Sequence, residues 1–216
     1  MTQLKICCIA SIAEAELALG LGANALGLVS AMPSGPGVVD DNTIRDVVRW
    51  ARGRARTFLL TSRISAESIA EQLHDLQPHT VQLVDALPHG EHARLRALAP
   101  DVRIVQVIHV RGVEDVEEAC ALAPFVDEIL LDSGNPAAAV KELGGTGRLH
   151  DWLLSARIVR DAGVPVWLAG GLRAENVGQA IATVRPHGLD VCSGVRRGGD
   201  LDAAKLASLI AAMRSA

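Results

Sequence analysis

The chain has almost no aromatic residues: no tyrosine, two phenylalanines and three tryptophans among 216 positions. A core without rings must be built from Ala, Val, Leu and Ile, which suits parallel strands covered by helices. Long apolar runs are missing too. The longest are strand-length, whereas a membrane helix needs about 20 apolar residues, so no membrane partner is expected. No basic block interleaved with aromatics occurs. The net charge of −4 and pI near 6.0 give no support for a nucleic-acid partner. The four cysteines (Cys7, Cys8, Cys120 and Cys192) form no C-x-x-C pair and no metal-finger spacing, so no metal is expected. A disulfide between neighbouring Cys7 and Cys8 would be strained. Free thiols without a signal peptide point to a reducing cytoplasm. No linker, low-complexity tract or internal composition shift divides the chain.

What is present is a rhythm. Strand-like runs lie at about 3–9 (QLKICCI), 25–30 (ALGLVS), 56–61 (RTFLLT) and 80–84 (TVQLV). Four more follow at about 103–109 (RIVQVIH), 127–132 (DEILLD), 165–169 (PVWLA) and 188–192 (GLDVC). Helix patterns with start signals separate them. Ser11 and Glu14 form a capping box before 12–21, Asp41 or Asn42 caps a helix through Arg52, and Ser65 opens another. Glu175-Asn176 begins a helix to about Thr183, and a last one covers about 201–214. Eight strands, each followed by a helix, predict an α/β fold: a single (β/α)8 TIM barrel spanning 1–216. A doubly wound sheet would place a glycine fingerprint after strand one, and KICCIAS has none.

In a barrel the chemistry belongs at strand C-terminal ends. Gly170-Gly171 follows strand seven and Ser193-Gly194 follows strand eight. In consecutive units, such pairs let backbone N–H groups approach a phosphate with no side chain between. Either pair alone would read as an ordinary turn. Cys7 near the end of strand one and Asp132 at the end of strand six are titratable groups on the same rim. A thiolate is a competent base where positive charge or amide dipoles stabilise it, and Lys5 lies two residues away on the same strand face. A carboxyl among apolar strand residues can be held protonated and serve as an acid. Taken alone, a strand cysteine is more often a small core residue, and a strand-end Asp more often a loop cap.

The motifs together resemble the phosphoribosylanthranilate isomerase family along almost the full length. Lys5-Ile6-Cys7 resembles that family's K-I-C-G opening, and Gly22-Ala-Asn-Ala-Leu-Gly27-Leu its G-A-D-A-[LI]-G-F step. Val81-Gln82-Leu83 resembles V-Q-L-H, and Leu131-Asp132-Ser133 resembles L-L-D-S. Gly144-Gly145-Thr146-Gly147 with Asp151-Trp152 is similar to G-G-T-G-x-x-F-D-W. Leu168-Ala169-Gly170-Gly171-Leu172 with Asn176-Val177 is similar to L-A-G-G-L-x-x-x-N-V. Asp190-Val191-Cys192-Ser193-Gly194-Val195 resembles D-[VL]-[SN]-S-G-V. The resemblance implies an Amadori rearrangement of N-(5-phosphoribosyl)anthranilate in tryptophan biosynthesis, with Cys7 as general base and Asp132 as general acid. It implies no metal and no cofactor, and a chain that is a monomer or homodimer. The phosphorylated sugar substrate would rest on Gly145, Thr146, Gly147, Gly170, Gly171, Ser193 and Gly194.

Departures cluster at the substrate end. After strand two the family shows S-x-R or S-P-R, whose arginine is expected to hold the anthranilate carboxylate. Here Pro33-Ser34-Gly35-Pro36-Gly37 has none. Arg63, just after strand three, is the favoured replacement, with Arg196-Arg197 the other source of charge. Val84 stands for the histidine of V-Q-L-H, Cys8 for a glycine, His150 for an aromatic and Arg196 for a glutamate. Two further readings remain at this point: a diverged relative acting on another phosphorylated sugar or amino-sugar, and a non-catalytic phosphometabolite-binding barrel.

Overall fold

The computed structural model describes residues 2–33, 35–133 and 151–216. Strands β1 (Gln3–Ile6), β2 (Ala25–Val29), β3 (Arg56–Thr61) and β4 (Thr80–Leu83) are followed by β5 (Arg103–His109), β6 (Glu128–Asp132), β7 (Val166–Leu168) and β8 (Gly188–Val191). They close in sequence order into one parallel barrel, with β1 paired to β8. Helices α1 (Ile12–Leu21), α2 (Asp41–Ala51), α3 (Ala66–Leu76), α4 (Glu91–Leu98), α5 (Glu114–Leu122), α6 (Trp152–Asp161), α7 (Val177–Val184) and α8 (Ala203–Arg214) alternate with them. The eight-unit rhythm of the sequence is therefore a TIM barrel. No helix among the described residues is long and apolar enough to cross a membrane.

Strand alternation builds two packed zones. On β2, Leu26 and Leu28 pack with the helices, while Ala25 and Val29 turn inward; Ile104 and Ile108 alternate with Val105 and Val107 on β5. Inward positions fill the barrel in levels. At the strand starts Glu128 binds Arg56 and Arg103, each at 2.8 Å, and accepts the Trp167 indole N–H at 2.6 Å. In the middle, Phe58 meets Trp167 edge to face, and Lys5 lies 2.9 Å from Gln82 Oε1 and 2.8 Å from Asp190 Oδ2. At the strand ends the inward set becomes Cys7, Leu60, Val84, Asp132 and Ala169.

Several element ends differ from the sequence reading, for local reasons. Strand one stops at Ile6 instead of running to 9, because Cys8 has φ 63°, a left-handed conformation no strand can contain. Asp40, not Asp41 or Asn42, caps α2, its Oδ1 accepting the Thr43 N–H at 2.9 Å. Ser11, Ser65, Asp151 and Asp202 cap α1, α3, α6 and α8 in the same way. Glu14 reaches back to the Ala10 N–H, extending the box at α1.

Candidate active site

A cavity opens at the C-terminal ends of the strands. Cys7 and Cys8 after β1, Gln82 and Val84 at the end of β4, and Asp132 at the end of β6 contribute to its wall. The loops after β7 and β8 add Gly170, Gly171, Asp190, Cys192 and Ser193. The sequence-predicted Cys7 and Asp132 therefore meet in one cavity, although 125 positions separate them.

Cys7 is buried, 6 % exposed, at a point where the chain is leaving the barrel. Its N–H donates to Val191 of β8 at 2.9 Å. Arg196 secures the carbonyl side: Nη2 donates to the Cys7 and Cys8 carbonyl oxygens at 3.1 and 2.5 Å. The same guanidinium forms a bidentate pair with Glu14 of α1, at 2.9 and 3.1 Å. Burial alone would raise the Glu14 carboxyl; the Arg196 bond and the Leu201 and Ala10 N–H groups outweigh it and hold it below the usual range. The sulfurs of Cys8 and Cys192 touch at 2.7 Å.

Asp132, 7 % exposed, accepts the Ser133 N–H at 2.7 Å. His109 of β5 is its register partner. Burial holds the His109 imidazole below its ordinary value, against the pull of the Val84 carbonyl, so it is neutral. Lys5 is wholly buried below the cavity. Burial would pull its ammonium down, but Asp190 and the Cys7 thiol more than compensate, and the net direction is up. Lys5 stays charged.

Gly170 and Gly171 have φ values of 84° and 63°, conformations that glycine takes without strain. Their N–H groups make no hydrogen bond to protein among the described residues. Ser193 lines the same cavity, whereas Gly194 lines an adjoining depression with Ser193, Arg173 and Lys205. A Cβ on Gly194 would collide with the Leu172 carbonyl oxygen, so the β7 and β8 loops meet only because that position is glycine. Gly145, Thr146, Gly147 and His150 lie outside the described residues.

The arginines proposed for the carboxylate are engaged elsewhere. Arg63 is exposed, absent from the cavity lining, and donates to the Ser68 carbonyl at 2.6 Å. It follows β3 as expected, but α3 begins so soon after it that the side chain folds onto that helix. Arg196 is held by Glu14, and Arg197 pairs with Asp202 at 2.9 Å. Among the described residues, none lining the cavity is a cation.

Sequence reasoning missed Asp190 and Gln82. Asp190 Oδ2 binds Lys5, and its buried Oδ1 has no hydrogen-bond partner among the described residues. The signal existed: with Cys7 facing inward, alternation turns Lys5 inward, and a buried ammonium requires a carboxylate.

A family model for N-(5'-phosphoribosyl)anthranilate (PRA) isomerase matches residues 4–212. A protein from Afipia carboxidovorans named N-(5'-phosphoribosyl)anthranilate isomerase is 35 % identical over 216 residues, covering 99 % of this chain and 89 % of that one. The phosphoribosylanthranilate isomerase structure from Thermotoga maritima superposes with a TM-score of 0.84 at 28 % identity, covering all of both chains. Another solved phosphoribosylanthranilate isomerase, in complex with reduced 1-(o-carboxyphenylamino)-1-deoxyribulose 5-phosphate, superposes with a TM-score of 0.81 at 26 % identity, again over both full chains.

Proposed function

This chain belongs to the phosphoribosylanthranilate isomerase family, and from that premise we propose how its own residues carry the reaction. It is an isomerase of tryptophan biosynthesis, converting N-(5'-phosphoribosyl)anthranilate to its 1-deoxyribulose phosphate by an aldose–ketose rearrangement. The observation that carries the mechanistic reading is that a thiol, Cys7, and a carboxyl, Asp132, line one cavity with the Gly170-Gly171 turn.

Asp132 protonates the furanose ring oxygen; the C1–O bond breaks and the nitrogen lone pair forms an iminium. Cys7 removes the C2 proton, which the iminium has made acidic, giving an enolamine. Protonation at C1, with loss of the C2 hydroxyl proton, then leaves a ketone at C2. Each step is a proton transfer of the kind a positioned side chain accelerates by about 10²–10⁴. The substrate phosphate rests on the N–H groups of Gly170, Gly171, Ser193 and Gly194, with Gly145, Thr146 and Gly147 completing the cradle. Asp190 Oδ1, buried and without a partner among the described residues, accepts a hydroxyl or N–H from the substrate. Its free thiols suit a cytoplasmic enzyme.

Complementation of a tryptophan auxotroph lacking this isomerase tests the reading. Rescue by the parent chain is expected, and its loss with Cys7→Ala or Asp132→Asn. Growth with either variant would remove that residue from the mechanism.

A further inference from the structure

Two departures from the family pattern meet in space. Cys8 stands where the pattern has glycine and Cys192 where it has serine or asparagine. They are 184 positions apart, and their sulfurs lie 2.7 Å apart in the cavity wall. We propose that Cys8 and Cys192 form an oxidant-sensing dithiol that closes to a disulfide across the β1–β8 seam on exposure to a hydroperoxide, switching turnover off.

Geometry selects this pair. A disulfide needs sulfurs at about 2.05 Å, so closure requires an approach of well under an ångström. Cys7 cannot serve Cys8 because adjacent residues make a strained bridge. Cys120 lies on α5, away from the cavity lining. The contact of Cys8 Sγ with the Pro36 carbonyl oxygen is weak, at 3.6 Å.

The chemistry has a defined order. The sulfur–sulfur contact with Cys8 and the Arg196 guanidinium hold the Cys192 thiol below its ordinary value, against burial. That same contact, with the Cys7 thiol and burial, pushes Cys8 up. Cys192 is therefore the thiolate that attacks the peroxide. An S–O bond forms, the O–O bond breaks, and hydroxide leaves as water by taking up the proton that Cys192 gave up on ionising, leaving a sulfenic acid. The negative sulfur that favoured the Cys8 proton is then gone. Cys8 attacks the Cys192 sulfur; the S–S bond forms, the S–O bond breaks, and hydroxide leaves with the Cys8 proton as a second water. Two thiols have lost two electrons and two protons, and the peroxide has become two waters.

The effect on turnover rests on the proposed mechanism. Cys8 directly follows Cys7, and Cys192 directly precedes Ser193, so the new bond pulls on the base and on the phosphate loop together. A full ångström of misplacement costs about 10²-fold in rate, so the sub-ångström shift of closure costs about tenfold.

The test uses the purified full chain, treated with hydrogen peroxide, alkylated and digested for peptide mapping. A cross-link between the Cys8 and Cys192 peptides is expected, with turnover lowered at least about tenfold and restored by dithiothreitol. Cys8→Ser and Cys192→Ser, each compared with its own untreated activity, should resist the same exposure. Absence of the cross-link overturns the proposal, as does a cross-link that leaves turnover unchanged. Equal peroxide loss in both variants, with oxidation mapped to Cys7, also overturns it. Failure of the isomerase reading is distinguishable: the untreated chain would then show no turnover, while peptide mapping would still report the disulfide.

Discussion

Lys5 Nζ lies 2.8 Å from Asp190 Oδ2, and the two residues are register partners across the β1–β8 seam that closes the barrel. Gln82 accepts a second bond from the ammonium at 2.9 Å, and the Phe58 ring lies 5.1 Å from it. One pairing therefore serves two ends. It satisfies a charge deep in the barrel, and it fixes the carboxylate whose other oxygen has no partner among the described residues.

Removing one partner of such a pair strands the other charge. Lys5→Met should cost about 3–5 kcal/mol, a fall in melting temperature of more than about 6 °C. Lys5→Met combined with Asp190→Leu should recover part of that loss in thermal denaturation, because no buried charge is left alone. A single variant melting within about 2 °C of the parent would show that the pair does not hold the seam.

Asp132→Asn should lower kcat by about 10²–10⁴ while a phosphate-bearing product analogue binds as tightly as to the parent. Cys7→Ala should give a loss in the same range by removing the opposite proton-transfer group. Steady-state kinetics and calorimetric titration separate the two effects. A drop under about tenfold for either variant would exclude that residue as acid or base.

The barrel was legible because apolar strand-length runs recur eight times, and because capping residues announce α1, α2 and α3 at or next to the expected place. The place of the glycine pairs at the cavity rim could be read because they sit at two consecutive strand ends. The partners of the arginines could not be read. Arg196, Glu14 and the Cys7 carbonyl are joined only by barrel closure, which brings the first and last units together. Arg63 was misjudged for the reverse reason: a local bond to Ser68, five residues on, outcompeted the long-range site. Strand ends were overextended at Cys8 because backbone hand is not written in hydropathy.

Glu128 predicts an acid limb of stability. Burial would raise its carboxyl, but Arg56, the Trp167 indole and Arg103 more than reverse this, so its value is lowered from 4.5. A carboxylate depressed in the folded state contributes stability above its unfolded value and loses it as pH falls through the folded one. Denaturant unfolding should therefore weaken below about pH 4.5, and Glu128→Gln should flatten that limb while lowering stability at pH 7. An unchanged acid limb in the variant would assign acid sensitivity to other carboxylates.

Arg196 stands where the family pattern has glutamate, and the structure supplies its reason. Its side chain is 10 % exposed and ties Glu14 of α1 to the carbonyls of Cys7 and Cys8. The guanidinium fork meets Glu14 with two parallel bonds and still reaches the turn, which an ammonium cannot do. Arg196 therefore acts as a positioning residue for the thiol. Arg196→Ala should lower kcat by about 10–10² through displacement of Cys7, with KM changed less than about threefold because the glycine loops are untouched. Arg196→Lys should restore only part of kcat, since charge returns without the fork. Glu14→Gln should reproduce a milder version of the loss, as the neutral amide still accepts one of the two bonds. A role confined to stability would instead lower the melting temperature and leave kcat of the folded fraction intact. That result would separate Arg196 from the geometry of the base.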